Sequence, residues 1–228
     1  MSSKRRNCVL FVAPHPDDEA IGCGGTALRH LAHGDETHWL IVTSMDSSAE
    51  FSAERRAKRS DEIDAVATAF GFASVTRLPF APAGLDTTPR AELVRAVSTV
   101  IQTVRPTTVY APFAGDAHSD HEVTCAAISA STKWFRADFV EEILCYETLS
   151  ETDAATNPTA PPFVPNRFVD VSPWLERKLE ICRMYSSEFA EFPFPRSAVA
   201  IRALAAVRGA ASGFAAAEAF MLLRSRVS

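Results

Sequence analysis

Seven residues able to bind a metal or move a proton fall in two short runs. The first is Ala13-Pro14-His15-Pro16-Asp17-Asp18-Glu19, and the second is His118-Ser119-Asp120-His121. His15 and Asp18 are three apart, a spacing that lets both face one ion if the chain between them begins to turn. Zinc takes imidazole nitrogen and carboxylate oxygen, and its catalytic sites use three protein ligands and keep a position open. A third ligand is therefore required, and His121 is assigned to it. Asp17 lies between two ligands and does not share their direction, which leaves it free to accept a proton from water. His118 has Asp120 close by. A carboxylate that accepts one imidazole N–H fixes the tautomer and raises ring basicity, and a histidine so held stabilises an oxyanion or protonates a departing amine. Asp120 also suits capping of the helix that follows, and the two roles can coexist. Glu19 reads as a first-turn carboxylate favoured by the helix dipole. Together these residues point to a metal-dependent hydrolase with Asp17, His118 and Asp120 catalytic and His15, Asp18 and His121 on the metal.

Each run follows an apolar segment of strand length, Cys8-Val9-Leu10-Phe11-Val12 for the first and Thr108-Val109-Tyr110-Ala111-Pro112-Phe113 for the second. Two strand ends can converge on one ion, and ligands of open α/β sheets collect at the carboxyl ends of the strands. Further strands are expected over 38–43, 75–80 and 142–148. Helices are expected over about 19–33, 49–70 and 88–104, with another after the second run. Leu93, Val97, Val100, Ile101 and Val104 recur at helical spacing, Thr88-Pro89 supplies a cap and first-turn proline, and Pro106 a stop. Alternating strand and helix predicts an α/β fold, a Rossmann-like open and mostly parallel sheet with helices on both faces and the metal site at the C-terminal ends of the strands. Residues 151–166 hold four prolines among Thr, Ala and Asn and read as a surface loop or lid. Strand-like 168–171 and a helix over about 173–185 follow. The segment 220–223 is open between a last strand and a helix end.

The chain has 228 residues, 47% hydrophobic and 22% charged, which suits one domain over 1–228 with 1–6 as a flexible tail. The formal charge of −5 predicts no basic face and argues against nucleic acid as a partner. Five scattered cysteines without a C-x-x-C pair suggest a reduced, cytoplasmic protein. The apolar run after the basic start is too short to span a membrane. A homo-oligomer is compatible with all of this.

His15-Pro16-Asp17-Asp18-Glu19 with the later His118-Ser119-Asp120-His121 resembles the PIG-L/LmbE family of zinc-dependent N-deacetylases. Five fixed residues arise by chance in a chain this long with odds on the order of 10⁻⁴. Arg59-Ser60-Asp61-Glu62 with Phe70-Gly71 resembles the family's second helix, and Arg208-Gly209 and Ala217-Glu218-Ala219-Phe220 its C-terminal end. The resemblance implies Zn²⁺ on His15, Asp18 and His121, Asp17 as base and His118 near the oxyanion. It also implies removal of an N-acetyl group from a small-molecule amino-sugar conjugate of N-acetylglucosamine type. Arg59 reaches the substrate in such a helix, although an exposed helix arginine is the commoner case. Asp116, just before the second motif, is a candidate to face a polar substrate group, and Trp39, Phe80, Phe113 and Trp134 are candidates to stack on a sugar.

Two rivals are weighed. A magnesium-dependent phosphoryl-transfer or phosphoacceptor domain also places paired acids after strand 1, but magnesium prefers an all-oxygen shell and this site offers imidazoles. A catalytically dead metal module has no need of Asp17. Gly22-Cys23-Gly24-Gly25-Thr26-Ala27 matches a dinucleotide fingerprint, yet it stands about nine residues past the strand, and three acids occupy the turn where pyrophosphate would sit. Those glycines are expected to let the helix pack closely instead.

Overall fold

In a computed structural model of the chain, residues 7–227 are described; the expected tail, 1–6, lies outside them. β1 (Cys8–Ala13) is an interior strand of the sheet, apolar on both faces. Val9, Phe11 and Ala13 enter one hydrophobic layer and Leu10 and Val12 the other, the alternation that strand geometry imposes. β2 (Glu36–Thr43) and β4 (Thr108–Pro112) flank it in parallel, with Val9 opposite both Thr37 and Thr108. β3 (Ser74–Phe80) closes one side, and β5 (Glu142–Tyr146) extends the other. The segment left open between strand and helix is β7 (Ala217–Ser225), antiparallel to β5 and to β6 (Arg167–Asp170). The sheet order is β3-β2-β1-β4-β5-β7-β6. The chain leaves β1 in one direction through β2 and β3, then returns to lay β4 on the other side. Strand order therefore reverses between β1 and β4, the crevice where ligands of such sheets bind.

The helices are α1 (Asp18–Ala32), α2 (Ala53–Phe70), α3 (Arg90–Val104), α4 (Ser119–Ser131), α5 (Leu175–Cys182) and α6 (Ala198–Ala210). α3 buries Leu93, Val97, Val100 and Ile101 as its spacing requires. Its expected cap is not formed. Pro89 takes the cap position without a side-chain bond, and the Thr88 hydroxyl donates to the Gly84 carbonyl instead. α2 begins four residues later than its composition suggests, because Ser52 Oγ accepts from Arg55 N and sets the start there. The alanine-rich stretch before β7 had no assigned element and is α6, and the helix expected over 173–185 is the shorter α5 after a 3₁₀ turn. None of the helices is long and apolar enough to cross a membrane among the described residues.

Segment 151–166 carries neither helix nor strand and is pinned at both ends. Glu151 O accepts from Ala117 N, and Phe163 packs edge-on against Phe113. The glycines of α1 do pack closely. A Cβ on Gly22 would stand 2.3 Å from Tyr146 Cδ2, and one on Gly25 2.7 Å from Val171 Cβ. Gly22→Ala is accordingly expected to destabilise the protein by about 1–3 kcal/mol, the usual cost of overpacking. Urea denaturation checks this, and a stability unchanged within about 0.5 kcal/mol would contradict the packing.

Candidate active site

Both motifs emerge at the reversal point between β1 and β4. After β1 the chain turns sharply into α1, and Asp17 sits at the turn with φ 133°. For a residue with a Cβ this conformation costs on the order of 1–3 kcal/mol and persists only where surroundings enforce it. Here they do. Thr43 donates its N–H and hydroxyl to Pro14 O, Arg59 Nη1 donates to Pro16 O at 2.9 Å, and His15 N donates to Asp18 Oδ2 at 2.9 Å. Glu19 accepts from Asp17 N and from the Tyr185 hydroxyl. Glu19 is thus a buried brace of the first turn, and burial pushes its carboxyl up to about 8.

Three side chains meet at Asp18. Its Oδ2 lies 3.4 Å from His15 Nδ1 and 3.3 Å from His121 Nε2. The far nitrogen of each ring is held by a second carboxylate, His15 Nε2 by Asp120 Oδ2 at 2.9 Å and His121 Nδ1 by Asp116 Oδ2 at 2.7 Å. Two imidazoles, each fixed from behind, therefore turn their remaining nitrogens toward one carboxylate. His121 Nε2 and Asp18 Oδ1 are buried without a hydrogen-bond partner. Buried polar atoms are nearly always satisfied, so this pair marks a place built for something else. A dication fits it: the ligand atoms of His15, Asp18 and His121 lie within 4.8 Å of one another, and the carboxylate behind each ring is the arrangement that metal-bound histidines adopt. Burial works to lower both histidines. The Asp120 and Asp18 carboxylates outweigh it and raise His15 to about 9, and Asp18 and Asp116 raise His121 to about 10. A bound cation would displace those protons.

Several of the expected roles differ from what the geometry shows. Asp120 does not orient His118. Its carboxylate serves His15 and accepts from Ala83 N and Leu85 N, which ties the loop after β3 to the site. His118 is itself the N-cap of α4, its Nδ1 accepting from Asp120 N at 3.1 Å. In the neutral ring the proton then sits on Nε2, and burial with the positive neighbour His15 keeps His118 below its ordinary value. The more basic ring expected beside Asp120 is thus not what the geometry favours; a neutral His118 carries its N–H on Nε2. Asp116, expected to face substrate, has no exposed side-chain surface and accepts from His121 and from Thr152 Oγ1. Arg59 is not an exposed helix arginine; it is buried and bound to Pro16 O, Ser187 Oγ and Glu188.

A cavity of about 230 Å³ opens over the site, lined by His15, Asp17, Arg59 and His118 among others. None of the four aromatics considered for stacking lines it; Phe51 does. The residue without any sequence signal is Arg196. Its Nη1 donates to Asp17 Oδ2 at 2.5 Å, and its other nitrogens donate to Ser150 Oγ and Glu151. Asp17 Oδ1 makes no hydrogen bond among the described residues, and Asp17 lines the cavity. Burial and the Asp18 charge lift Asp17 to about 7 against the pull of Arg196.

Residues 10–132 match the family model described as GlcNAc-PI de-N-acetylase, PIG-L. The chain belongs to the PIG-L family. Both halves of the site, from His15 to His121, lie inside the matched PIG-L segment. Diacetylchitobiose deacetylase of Thermococcus kodakarensis is 28% identical over 223 residues, covering 92% of this chain and 80% of that one. A conserved protein of Thermus thermophilus superposes with a TM-score of 0.77 at 26% identity, covering 97% of each chain. The PIG-L fold is also shared by a 4-carboxy-2-hydroxymuconate hydratase of Pseudomonas putida, with a TM-score of 0.75 at 15% identity over 96% of this chain and 97% of that one. That likeness concerns fold alone, so the reaction must be argued from the site. The magnesium phosphoryl-transfer alternative finds no support: the family is one of amide hydrolases, and the ligand cluster contains two imidazoles.

Proposed function

We propose that this PIG-L protein is a zinc-dependent deacetylase that hydrolyses the acetamide of an N-acetylglucosamine-type conjugate to acetate and a free amine. The observation that carries the proposal is the convergence of His15 Nδ1 and His121 Nε2 on Asp18, each ring backed by a carboxylate, beneath a cavity that also holds Asp17. Zinc held by His15, Asp18 and His121 would supply a Lewis acid for the carbonyl and lower the pKa of water. The chain's own groups do the rest. Asp17 Oδ1 takes a proton from the attacking water while Arg196 fixes Oδ2. The Nε2–H of His118 donates to the oxyanion as it forms. The amine leaves poorly without a proton, and Asp17 is placed to return the one it took. The choice of acetyl and of amino sugar draws on the family and on relatives such as the diacetylchitobiose deacetylase.

The test offers N-acetylglucosamine conjugates, phosphate monoesters and carboxylate esters to the protein. Amine release from at least one conjugate is expected, abolished by a chelator and restored by zinc. Phosphate release with no amine from any conjugate would overturn the proposal. A finer expectation concerns the carboxylates behind the rings. Asp116→Ala should weaken zinc binding by roughly 10–100-fold, the usual effect of losing such a partner. Competition with a chromogenic chelator measures it, and wild-type affinity would show that Asp116 does not support His121.

A further inference from the structure

The cavity is lined by five arginines but three carboxylates. Two of the acids are already engaged, Asp17 by Arg196 and Glu188 by Arg59 and Arg196. The third, Asp46, lines the cavity together with Arg55, Arg56 and Arg77. Arg77 is tied to Asp64 and to Ser60 Oγ. Arg55 and Arg56 make no ion pair and no side-chain hydrogen bond among the described residues; the Arg55 guanidinium lies 5.0 Å over the Phe51 ring. The cavity lining is basic although the chain as a whole carries −5.

Its position relative to the site is set by helix geometry. Arg56, Arg59, Ser60 and Ile63 all line the cavity, at the spacing of one helical face of α2. Arg59 holds Pro16 in the site loop. Arg56 lies three residues before it, about 4.5 Å along the axis. Asp17, Arg55 and Arg56 line one cavity, so a conjugate whose acetamide reaches Asp17 can place its attached group against these arginines. Guanidinium forks bind carboxylate and phosphate through paired charge-assisted hydrogen bonds.

We propose that Arg55 and Arg56 form a subsite for an anionic group, carboxylate or phosphate, on the aglycone of the amino-sugar substrate, with Phe51 as its apolar wall. The inference rests on the deacetylase reading and names the class of conjugate that the site prefers.

The experiment compares N-acetylglucosaminides matched in size whose aglycones are neutral, carboxylate-bearing or phosphate-bearing, with the zinc-loaded protein and its Arg55→Gln/Arg56→Gln variant. In the wild type, kcat/KM for an anionic conjugate should exceed that for its neutral counterpart by about tenfold or more, since hydrogen bonds to charged groups are the strong ones. That preference should shrink as salt rises and fall about tenfold or more in the double variant. The two anionic arms tell carboxylate from phosphate. Equal use of neutral and anionic conjugates, or a preference that survives the double substitution in a variant with wild-type thermal unfolding, would overturn the subsite. If no conjugate yields an amine, the deacetylase reading falls. Calorimetric binding of the same anionic glycosides then decides the subsite, and equal Kd for wild type and variant overturns it.

Discussion

His121→Ala protein should purify with its zinc lost, against about one zinc per chain in the wild type, and with no detectable deacetylation. The ring is wholly buried, its Nδ1 is committed to Asp116, and its Nε2 has no hydrogen-bond partner although it faces Asp18. Asp18 groups with His15 and His121, not with His118. His118 has its Nδ1 occupied by Asp120 N and belongs to a different trio, with His15 and Asp120. Removing His15 or Asp18 should empty the site equally, because a three-ligand site reduced to two holds zinc poorly. Elemental analysis of the three alanine variants provides the check. Normal zinc in two of the three would sink the ligand set. The His121 substitution also leaves the Asp116 carboxylate buried with Thr152 as its remaining donor, so a stability loss on the order of 1–3 kcal/mol should accompany it. Far-UV circular dichroism separates that loss from global unfolding.

The parts of this site that could be read from the chain are those in which chemistry and position coincide in a few residues. His15, Asp17 and Asp18 follow a buried strand, and His118 and His121 open a helix after another, so the topology of an alternating fold brings them together at the β1–β4 reversal. The spacing of α3 and the glycines of α1 were legible for the same reason, each being a local pattern with one physical meaning. What could not be read was partner choice. Asp120 is two residues from His118, which suggested that they pair; the backbone of the first turn of α4 claims His118 instead, and the carboxylate swings to His15, 105 residues away. Asp116 looked like a loop acid and is the support of His121. Arg196 reaches Asp17 across 179 positions, from a segment of Phe and Pro with no motif. The direction of β7 was equally hidden, since a short apolar run carries no sign of its sense.

Asp17→Asn should keep its zinc and lose roughly 10²–10⁴-fold in kcat, the range for removal of a general base. The separation of these two readouts is the point of the experiment. Asp17 shares the turn with the ligands but not their direction: Asp18 meets both imidazoles, whereas Asp17 meets Arg196 and lines the cavity. An amide at this position preserves the volume and one carbonyl acceptor for Arg196 while removing the basic oxygen. Loss of zinc from Asp17→Asn would make Asp17 a ligand and require another base. The pH dependence carries the same assignment with a definite sign. A base works only when ionised, so kcat/KM of the wild type should rise with pH through the pKa of Asp17. Burial and the Asp18 charge lift that group to about 7, and a cation nearby lowers it, which puts the acid limb at or below about pH 7. His118→Ala tests the other half of the site. It removes the Nε2–H that we propose as donor to the developing charge and should cost about 10²–10³-fold in kcat with zinc retained. The acid limb should remain in place, because the base that produces it is untouched. An acid limb that vanished with His118 while surviving Asp17→Asn would transfer the role of base from the carboxylate to the imidazole.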